Sequence, residues 1–105
     1  MSSSPEFLEY VLDLLSETSN VRHRKMMGEY VLYSDGKVFG GIYDGRFLVK
    51  QTEASRRLLP EAALELPYPE AKLMFLVDIE NRDRIAEVVA EMLPELPLPK
   101  ARKKH

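Results

Sequence analysis

The sequence predicts a two-layer α+β domain, in which helices lie on one face of a mostly antiparallel sheet of about five strands. Two observations predict this class. The pairs Asp35-Gly36 and Asp44-Gly45 separate apolar runs rich in β-branched and aromatic residues, which is typical of tight hairpin turns. Near both ends of the chain, apolar residues recur at intervals of three and four, as in amphipathic helices. The predicted order is helix, three strands, helix, two strands, helix.

Length and composition favour one globular domain. The chain has 105 residues, of which 45% are hydrophobic and 30% charged. We assign residues 1–99 to the domain and residues 100–105 to a flexible basic tail. There is no cysteine, which excludes disulfides and thiolate metal sites. The first residues lack the pattern of a secretion signal, and no apolar run approaches the roughly 18 residues of a membrane span. We therefore expect a cytoplasmic protein without a membrane partner.

The first predicted helix begins at Pro5, with Ser4 as its N-cap. Its apolar stripe consists of Phe7, Leu8, Val11, Leu12 and Leu15. The basic stretch 21–27 that follows is interpreted as a loop leading into the sheet. Three predicted strands then occupy residues 30–33, 38–43 and 47–49, joined by the two Asp-Gly turns.

Gly40 and Gly41 lie inside the second of these strands, where glycine marks a bulge or a close approach of another group to the backbone. The approaching group is either a helix packed tightly over the sheet or a bound ligand. In the second case Lys50 and Lys72, near strand ends, are candidate contacts for an anion. Otherwise their aliphatic stems cover apolar surface.

The second half of the chain alternates helix and strand signals. Thr52 is expected to cap a helix of about two turns that stops at Pro60. Residues 64–66 alternate and are interrupted by Pro67, as in an edge or irregular strand. The apolar run 73–77 predicts a strand buried on both faces.

The final predicted helix starts after Asp78 or Asn81 and ends at Pro94. Its apolar stripe consists of Ile85, Val88, Val89, Met92 and Leu93.

Catalytic and metal-binding patterns are not evident. The internal histidine, His23, is flanked by Arg22 and Arg24, which would suppress its basicity, and no metal-ligand spacing is present. No glycine loop of the phosphate-binding kind joins a strand to a helix. We therefore expect no enzyme activity, no cofactor and no metal. Catalysis centred on His23 is the weakest of the functional hypotheses.

The basic residues form two clusters in an otherwise acidic chain. Residues 1–99 carry 11 basic and 17 acidic residues, a balance of −6, because four of the 15 basic residues fall in the tail. The clusters are Arg22, Arg24 and Lys25, and Lys100, Arg102, Lys103 and Lys104. Either cluster could meet phosphate or an acidic partner, or could simply be solvated. Since phosphate backbones are bound by clustered cations, the acidic body does not favour direct nucleic-acid binding, although it stays possible.

Several stretches resemble a known family. Residues 24–28 read Arg-Lys-Met-Met-Gly, and the strands and turns of 29–37 and 40–50 follow. Together with 67–72, 76–78 and 96–100, they are similar to the TfoX/Sxy N-terminal domain family. That family typically shows Arg-x-Met-Phe-Gly at the first motif, where this chain has Met27 in place of Phe. The resemblance covers nearly the whole chain.

The resemblance implies a two-layer α+β fold and a role in regulation. The best-known members of the family control natural competence as coactivators of transcription with the cyclic-AMP receptor protein. The family supplies no established active site. The leading hypothesis is therefore a non-enzymatic regulatory adaptor that contacts a protein of the transcription machinery. The alternatives are a module that binds a small ligand or peptide at Gly40-Gly41, and direct nucleic-acid binding. Both a monomer and a homodimer are compatible with the sequence.

Overall fold

The computed structural model describes residues 3–98. Its helices are α1 (Pro5–Leu14), α2 (Glu53–Leu58) and α3 (Arg82–Met92), the last followed by a 3₁₀ turn at Leu93–Glu95. The strands are β1 (Val21–Met26), β2 (Glu29–Ser34), β3 (Lys37–Tyr43), β4 (Arg46–Val49), β5 (Leu64–Glu65) and β6 (Met74–Leu76). They form one antiparallel sheet in the order β1-β2-β3-β4-β6-β5. The predicted α+β class is confirmed, with six strands rather than five.

Three two-residue turns join the first four strands into a meander. Both Asp-Gly pairs have positive φ at each residue, as a type I′ hairpin turn requires, so this prediction is confirmed. A third such turn is formed by Met27 and Gly28, with φ of 54° and 83°. A positive φ is uncommon outside glycine, asparagine and aspartate, and methionine therefore gave no turn signal.

The interpretation of residues 21–27 as a loop is wrong, because Val21–Met26 forms strand β1 at the edge of the sheet. Five of its six residues are exposed. A strand with polar side chains on both faces lacks the apolar alternation by which strands are recognised, and so it resembles a loop in sequence.

A β-bulge lies beside Gly40. Leu32 is opposite Gly40 while Tyr33 is opposite Val38, so Phe39 is an additional residue in β3. Of the two alternatives for Gly40-Gly41, a bulge or a close approach to the backbone, the bulge is thus observed. The expectation of a helix packed over the two glycines is wrong. A Cβ on Gly40 would lie 2.2 Å from the backbone oxygen of Leu48, and one on Gly41 would lie 2.5 Å from the ring of Tyr43.

The helices begin where the sequence predicts. The side chains of Ser4, Thr52 and Asn81 each accept a hydrogen bond from the backbone N–H three residues later. Asn81, rather than Asp78, therefore caps α3. All three helices pack on one face of the sheet. The buried core on that face includes Val11, Leu14, Leu32, Phe39, Ile42, Val49, Ala54, Phe75, Ile85, Val88, Val89 and Met92.

Candidate binding face

The face of the sheet turned away from the helices, here called the open face, carries the candidate site. In β2, buried Tyr30, Leu32 and Ser34 alternate with half-buried residues whose side chains point to the open face. Directly opposite residues share a face, so Arg22 and Arg24 of β1 lie on the open face beside Tyr33 and Val31. Met26, opposite Glu29, continues the same row.

The open face is partly covered by the β5–β6 loop (residues 66–73). Leu48 is fully buried, and Met74 nearly so, although neither belongs to the core under the helices. Tyr68 of the loop packs against Tyr43 of β3, with 5.9 Å between the ring centroids. Gln51 Nε2 donates a hydrogen bond of 2.9 Å to the carbonyl oxygen of Leu73. The loop therefore rests on β3 and on the end of β4.

Arg46 attaches the start of this loop to the sheet. Its guanidinium forms a salt bridge of 2.8 Å with Glu65 of β5 and donates a hydrogen bond of 3.1 Å to the carbonyl oxygen of Tyr43. A longer contact of 3.5 Å reaches the carbonyl oxygen of Pro67. Since the planar guanidinium of one side chain bonds both β3 and β5, it holds the start of the β5–β6 loop against the sheet.

A groove of about 490 Å³, here called the lysine groove, lies between the sheet and the loop. Its lining includes Gly40, Lys50 and Lys72, three of the residues singled out from the sequence. Val38 supplies apolar floor, and Tyr68 supplies part of the aromatic wall. Within residues 3–98, neither lysine forms a salt bridge. The groove thus combines two cationic side chains with apolar and aromatic surface.

A second groove, of about 510 Å³ and here called the methionine groove, lies between the β1–β2 turn and the loop. Met26, Met27 and Glu29 line it on one side. Tyr43 and Tyr68 line both grooves. Met27 is 98% exposed and Tyr68 57% exposed, so this part of the surface is apolar and accessible to solvent. The sequence did not indicate this groove, because Tyr43 and Tyr68 are far apart along the chain and meet only in the folded structure.

Tyr43 is the titratable group with the most perturbed environment on this face. Burial raises the pKa of its phenol above the ordinary 10.0, and the neighbouring Tyr68 and Glu29 raise it further. The phenol of Tyr43 is therefore protonated throughout the physiological range. It can take part in binding as a neutral hydrogen-bonding group, not as an anion.

The other predicted site residues lie apart from the grooves. Gly41 sits under the Tyr43 ring. Arg22, Arg24 and Lys25 lie on β1, all exposed and without a salt bridge to any residue in 3–98. His23, also exposed, meets the ring of Tyr30 edge-on. The remaining candidates, Lys100, Arg102, Lys103 and Lys104, lie outside the described residues.

The residues that line the two grooves present apolar, aromatic and cationic groups. In the part of the chain that the structure describes, no group of three His, Cys, Asp or Glu side chains could hold a metal ion. No helix between residues 3 and 98 is long and apolar enough to cross a membrane.

Comparison with known proteins places these features in a family. Residues 13–77, more than half of the chain, match the model of the TfoX N-terminal domain. This span contains the whole sheet, α2 and all the residues that line the two grooves. The chain is also 34% identical over 105 residues to the "Uncharacterized 12.7 kDa protein in trpE 5'region" of Spirochaeta aurantia, a match that covers 98% of this chain and 91% of that protein. The protein described here therefore belongs to the TfoX N-terminal domain family.

Proposed function

We propose that this protein is a non-enzymatic regulatory adaptor that contacts a protein partner through its open face. The observation that carries the proposal is the exposed methionine at the β1–β2 turn. Met27 is 98% exposed, sits on a turn fixed by two hydrogen-bonded strands, and adjoins the methionine groove. Exposed Met26 and Tyr68 lie on the same groove, so the apolar surface is contiguous, as at protein–protein contact sites, where methionine and aromatic residues are enriched.

The family supports the regulatory part of the proposal. Its best-known members act with the transcription machinery, and we propose a partner from that machinery here. Its members are not known as enzymes, and the open face offers groups suited to recognition. Apolar residues surround the turn, and tyrosines, which are enriched at interfaces, line both grooves. The adaptor therefore needs no chemistry beyond binding.

A substitution at Met27 tests the proposal without disturbing the turn. Met27→Asn removes the apolar side chain but keeps a residue that tolerates the observed φ of 54°. Asp35→Asn places the same residue in the next turn, where φ is 51°, without removing an apolar side chain, and is the control. Proteins captured from a native lysate are quantified by mass spectrometry. We expect a partner that is lost with Met27→Asn and kept with Asp35→Asn.

An electrophoretic assay with duplex DNA across a salt series separates the adaptor from a DNA-binding protein. The adaptor predicts weak binding that disappears as salt rises, with or without residues 100–105. Tight, salt-resistant DNA binding by residues 1–99 would contradict the adaptor proposal and indicate direct DNA recognition. Equal capture of every partner by wild type and Met27→Asn would also contradict the proposal.

A second candidate function is the binding of a small organic anion in the lysine groove. It is favoured by one observation, that Gly40, Lys50 and Lys72 line the same cavity. Thermal-shift screening with a panel of small carboxylates and phosphates tests it. We expect stabilisation that is lost in Lys50→Gln and in Lys72→Gln, and retained in Arg56→Gln on α2. If no compound of the panel stabilises the wild type, this candidate function is contradicted, and the groove is only a gap in the packing between the sheet and the loop.

A further inference from the structure

We propose that β1 is a docking strand, which accepts an acidic, extended segment of the protein partner as a seventh strand of the sheet. The inference rests on the proposed function, since it names where and by what chemistry the partner is held. Its first support is position. β1 is six residues long and lies at the end of the strand order, with β2 on one side. Alternate residues of such a strand direct backbone N–H and C=O groups away from the sheet.

The opposite edge of the sheet is much less suitable. β5 consists of Leu64 and Glu65, and Pro67 follows closely. A short edge that runs into proline offers few backbone donors to an incoming strand. Of the two edges, β1 therefore provides the longer template for pairing.

The charge of β1 selects the partner. Arg22, Arg24 and Lys25 are cationic, His23 lies among them, and all four residues are exposed. Within residues 3–98, none of their side chains forms a salt bridge. Arg22 and Arg24 point to the open face and His23 and Lys25 to the other, so cations flank the edge on both sides. Opposite charges on directly opposed residues stabilise a strand pair.

A second copy of this chain does not provide the negative charges that would complement β1. Antiparallel pairing of β1 with itself would set cations against cations, and like charges opposite each other destabilise a strand pair. Acidic residues are absent from Val21–Met26. An acidic strand from another protein gains both the backbone hydrogen bonds and the charge complementarity.

The docking strand is continuous with the methionine groove. Met26 ends β1 and also lines the groove, and Met27 follows on the turn. An added strand that runs beside β1 would bring its next residues to these methionines. The partner segment is therefore expected to combine an acidic block with an apolar residue beyond it.

Nucleic acid is a less favoured occupant of the same edge. Phosphates would also meet the arginines, but residues 1–99 carry 17 acidic against 11 basic residues, which repels a long polyanion. Nor does a phosphate backbone provide the alternating donors and acceptors that a strand edge presents.

Three synthetic peptides test the inference on the full chain. One is a capped peptide of alternating Glu and Thr, the second replaces each Glu with Lys, and the third is the acidic peptide with alternate amides N-methylated. Binding is measured by calorimetry and by amide hydrogen exchange. We expect the acidic peptide to slow exchange at every second residue of β1, and the other two to bind at least about tenfold more weakly. Equal binding of the N-methylated peptide would overturn strand pairing.

Two further comparisons complete the test. A chain carrying Arg22→Glu, Arg24→Glu and Lys25→Glu should lose the acidic peptide, while Arg56→Glu on the exposed surface of α2 should retain it. A single-stranded oligonucleotide that protects the β1 amides better than the acidic peptide would overturn the inference in favour of nucleic acid. If the β1 variant misfolds, the wild-type comparison of the three peptides decides alone.

The lysate experiment distinguishes failure of this inference from failure of the adaptor. A partner that depends on Met27 but is retained by the β1 variant overturns the docking strand and leaves the adaptor in place. A partner that is lost with the β1 variant but kept with Met27→Asn supports the docking strand. It would also show that the partner does not bind through the open face.

Discussion

At the scale of single residues, Gly40 shows how closely the strands approach one another. The position where a Cβ would lie is 2.2 Å from the carbonyl oxygen of Leu48, a backbone atom that cannot move independently of β4. Gly45 differs, because nothing lies within 4 Å of its added Cβ and its constraint is a φ of +70°. The two glycines are therefore required for different reasons, one for space and one for conformation.

Substitution by alanine should separate these reasons. We expect Gly40→Ala to destabilise the protein by about 1–3 kcal/mol, the usual cost of forcing atoms into a packed interior. Gly45→Ala should cost about 1–2 kcal/mol, from the left-handed backbone alone.

Urea denaturation followed by circular dichroism measures both variants, with Gly45→Asn as a control. Asparagine tolerates the left-handed region, so this control should recover most of the loss at position 45. A Gly40→Ala variant as stable as the wild type would show that β4 can shift away.

The phenol of Tyr43 makes stability depend on alkaline pH. Burial raises its pKa above 10.0 in the folded protein, whereas the unfolded chain keeps the ordinary value. The phenol of Tyr43 therefore holds its proton more tightly in the folded state than in the unfolded chain. Its contribution to the free energy of unfolding is fully present below pH 10 and is lost as pH rises through the folded pKa.

We expect the Tyr43→Phe variant to show a shallower loss of stability above pH 10 than the wild type, measured by urea midpoints at stepped pH. Tyr10 is the comparison at the exposed surface, where its pKa is raised chiefly by a hydrogen bond to Glu80, so Tyr10→Phe should change the slope in the same direction. Identical slopes for wild type and Tyr43→Phe would contradict the assignment.

At the scale of elements, α2 is stabilised from a distance. It has only six residues, and its own capping box joins Thr52 and Ser55. The carboxylate of Glu95, on the 3₁₀ turn after α3, accepts hydrogen bonds of 2.8 and 3.0 Å from the backbone N–H groups of Glu53 and Ala54. A negative charge is favourable at a helix N-terminus, so the 3₁₀ turn after α3 supports the start of α2.

Loss of this contact should be measurable. We expect Glu95→Ala to lower the free energy of unfolding by about 1 kcal/mol, as for a helix cap. Glu91→Ala is the control, because Glu91 forms only an exposed ion pair of 3.6 Å with Arg57, and such pairs contribute between about 0 and 1 kcal/mol. Thermal unfolding of the two variants compares them. A smaller effect at Glu95 than at Glu91 would show that α2 does not need the carboxylate.

Elements with a local signal could be predicted, and elements defined by their neighbours could not. The caps Ser4 and Thr52 and the two Asp-Gly turns are short-range patterns, and each is found where it was expected. β1 has no such pattern, because its position at the edge leaves both faces polar. The lysine groove lies between these cases. Lys50 and Lys72 were candidates from sequence, but the packing of Tyr68 on Tyr43 that forms the aromatic wall is a tertiary contact.

At the scale of the whole molecule, the two faces of the sheet have different roles. The helices close one face over a continuous apolar core, while the other keeps two grooves and an exposed turn. The cations of β1 lie at the boundary of the open face, along the longer free edge. Apart from the proposed attraction of an acidic partner, positive charge on an edge strand discourages pairing between copies of the chain.

The charge of β1 should therefore control the oligomeric state. We expect a variant with Arg22→Gln, Arg24→Gln and Lys25→Gln to self-associate at concentrations where the wild type is monomeric, measured by sedimentation velocity. The same number of Gln substitutions at Arg56, Arg57 and Arg84, all exposed on α2 and α3, provides the control. A wild-type dimer, or a neutral variant that stays monomeric, would contradict this role of the charges.

The three tight turns have a consequence for the way the chain folds. Each pairing from β1 to β4 joins sequence neighbours across two residues, so these contacts have low contact order and little loop-closure entropy. β6 pairs with β4 only after a connection of 24 residues that contains α2 and β5. We therefore expect the meander to acquire protected amides before β6 docks, so that the edge bearing the cations forms early, and the grooves, which need the β5–β6 loop, are completed last.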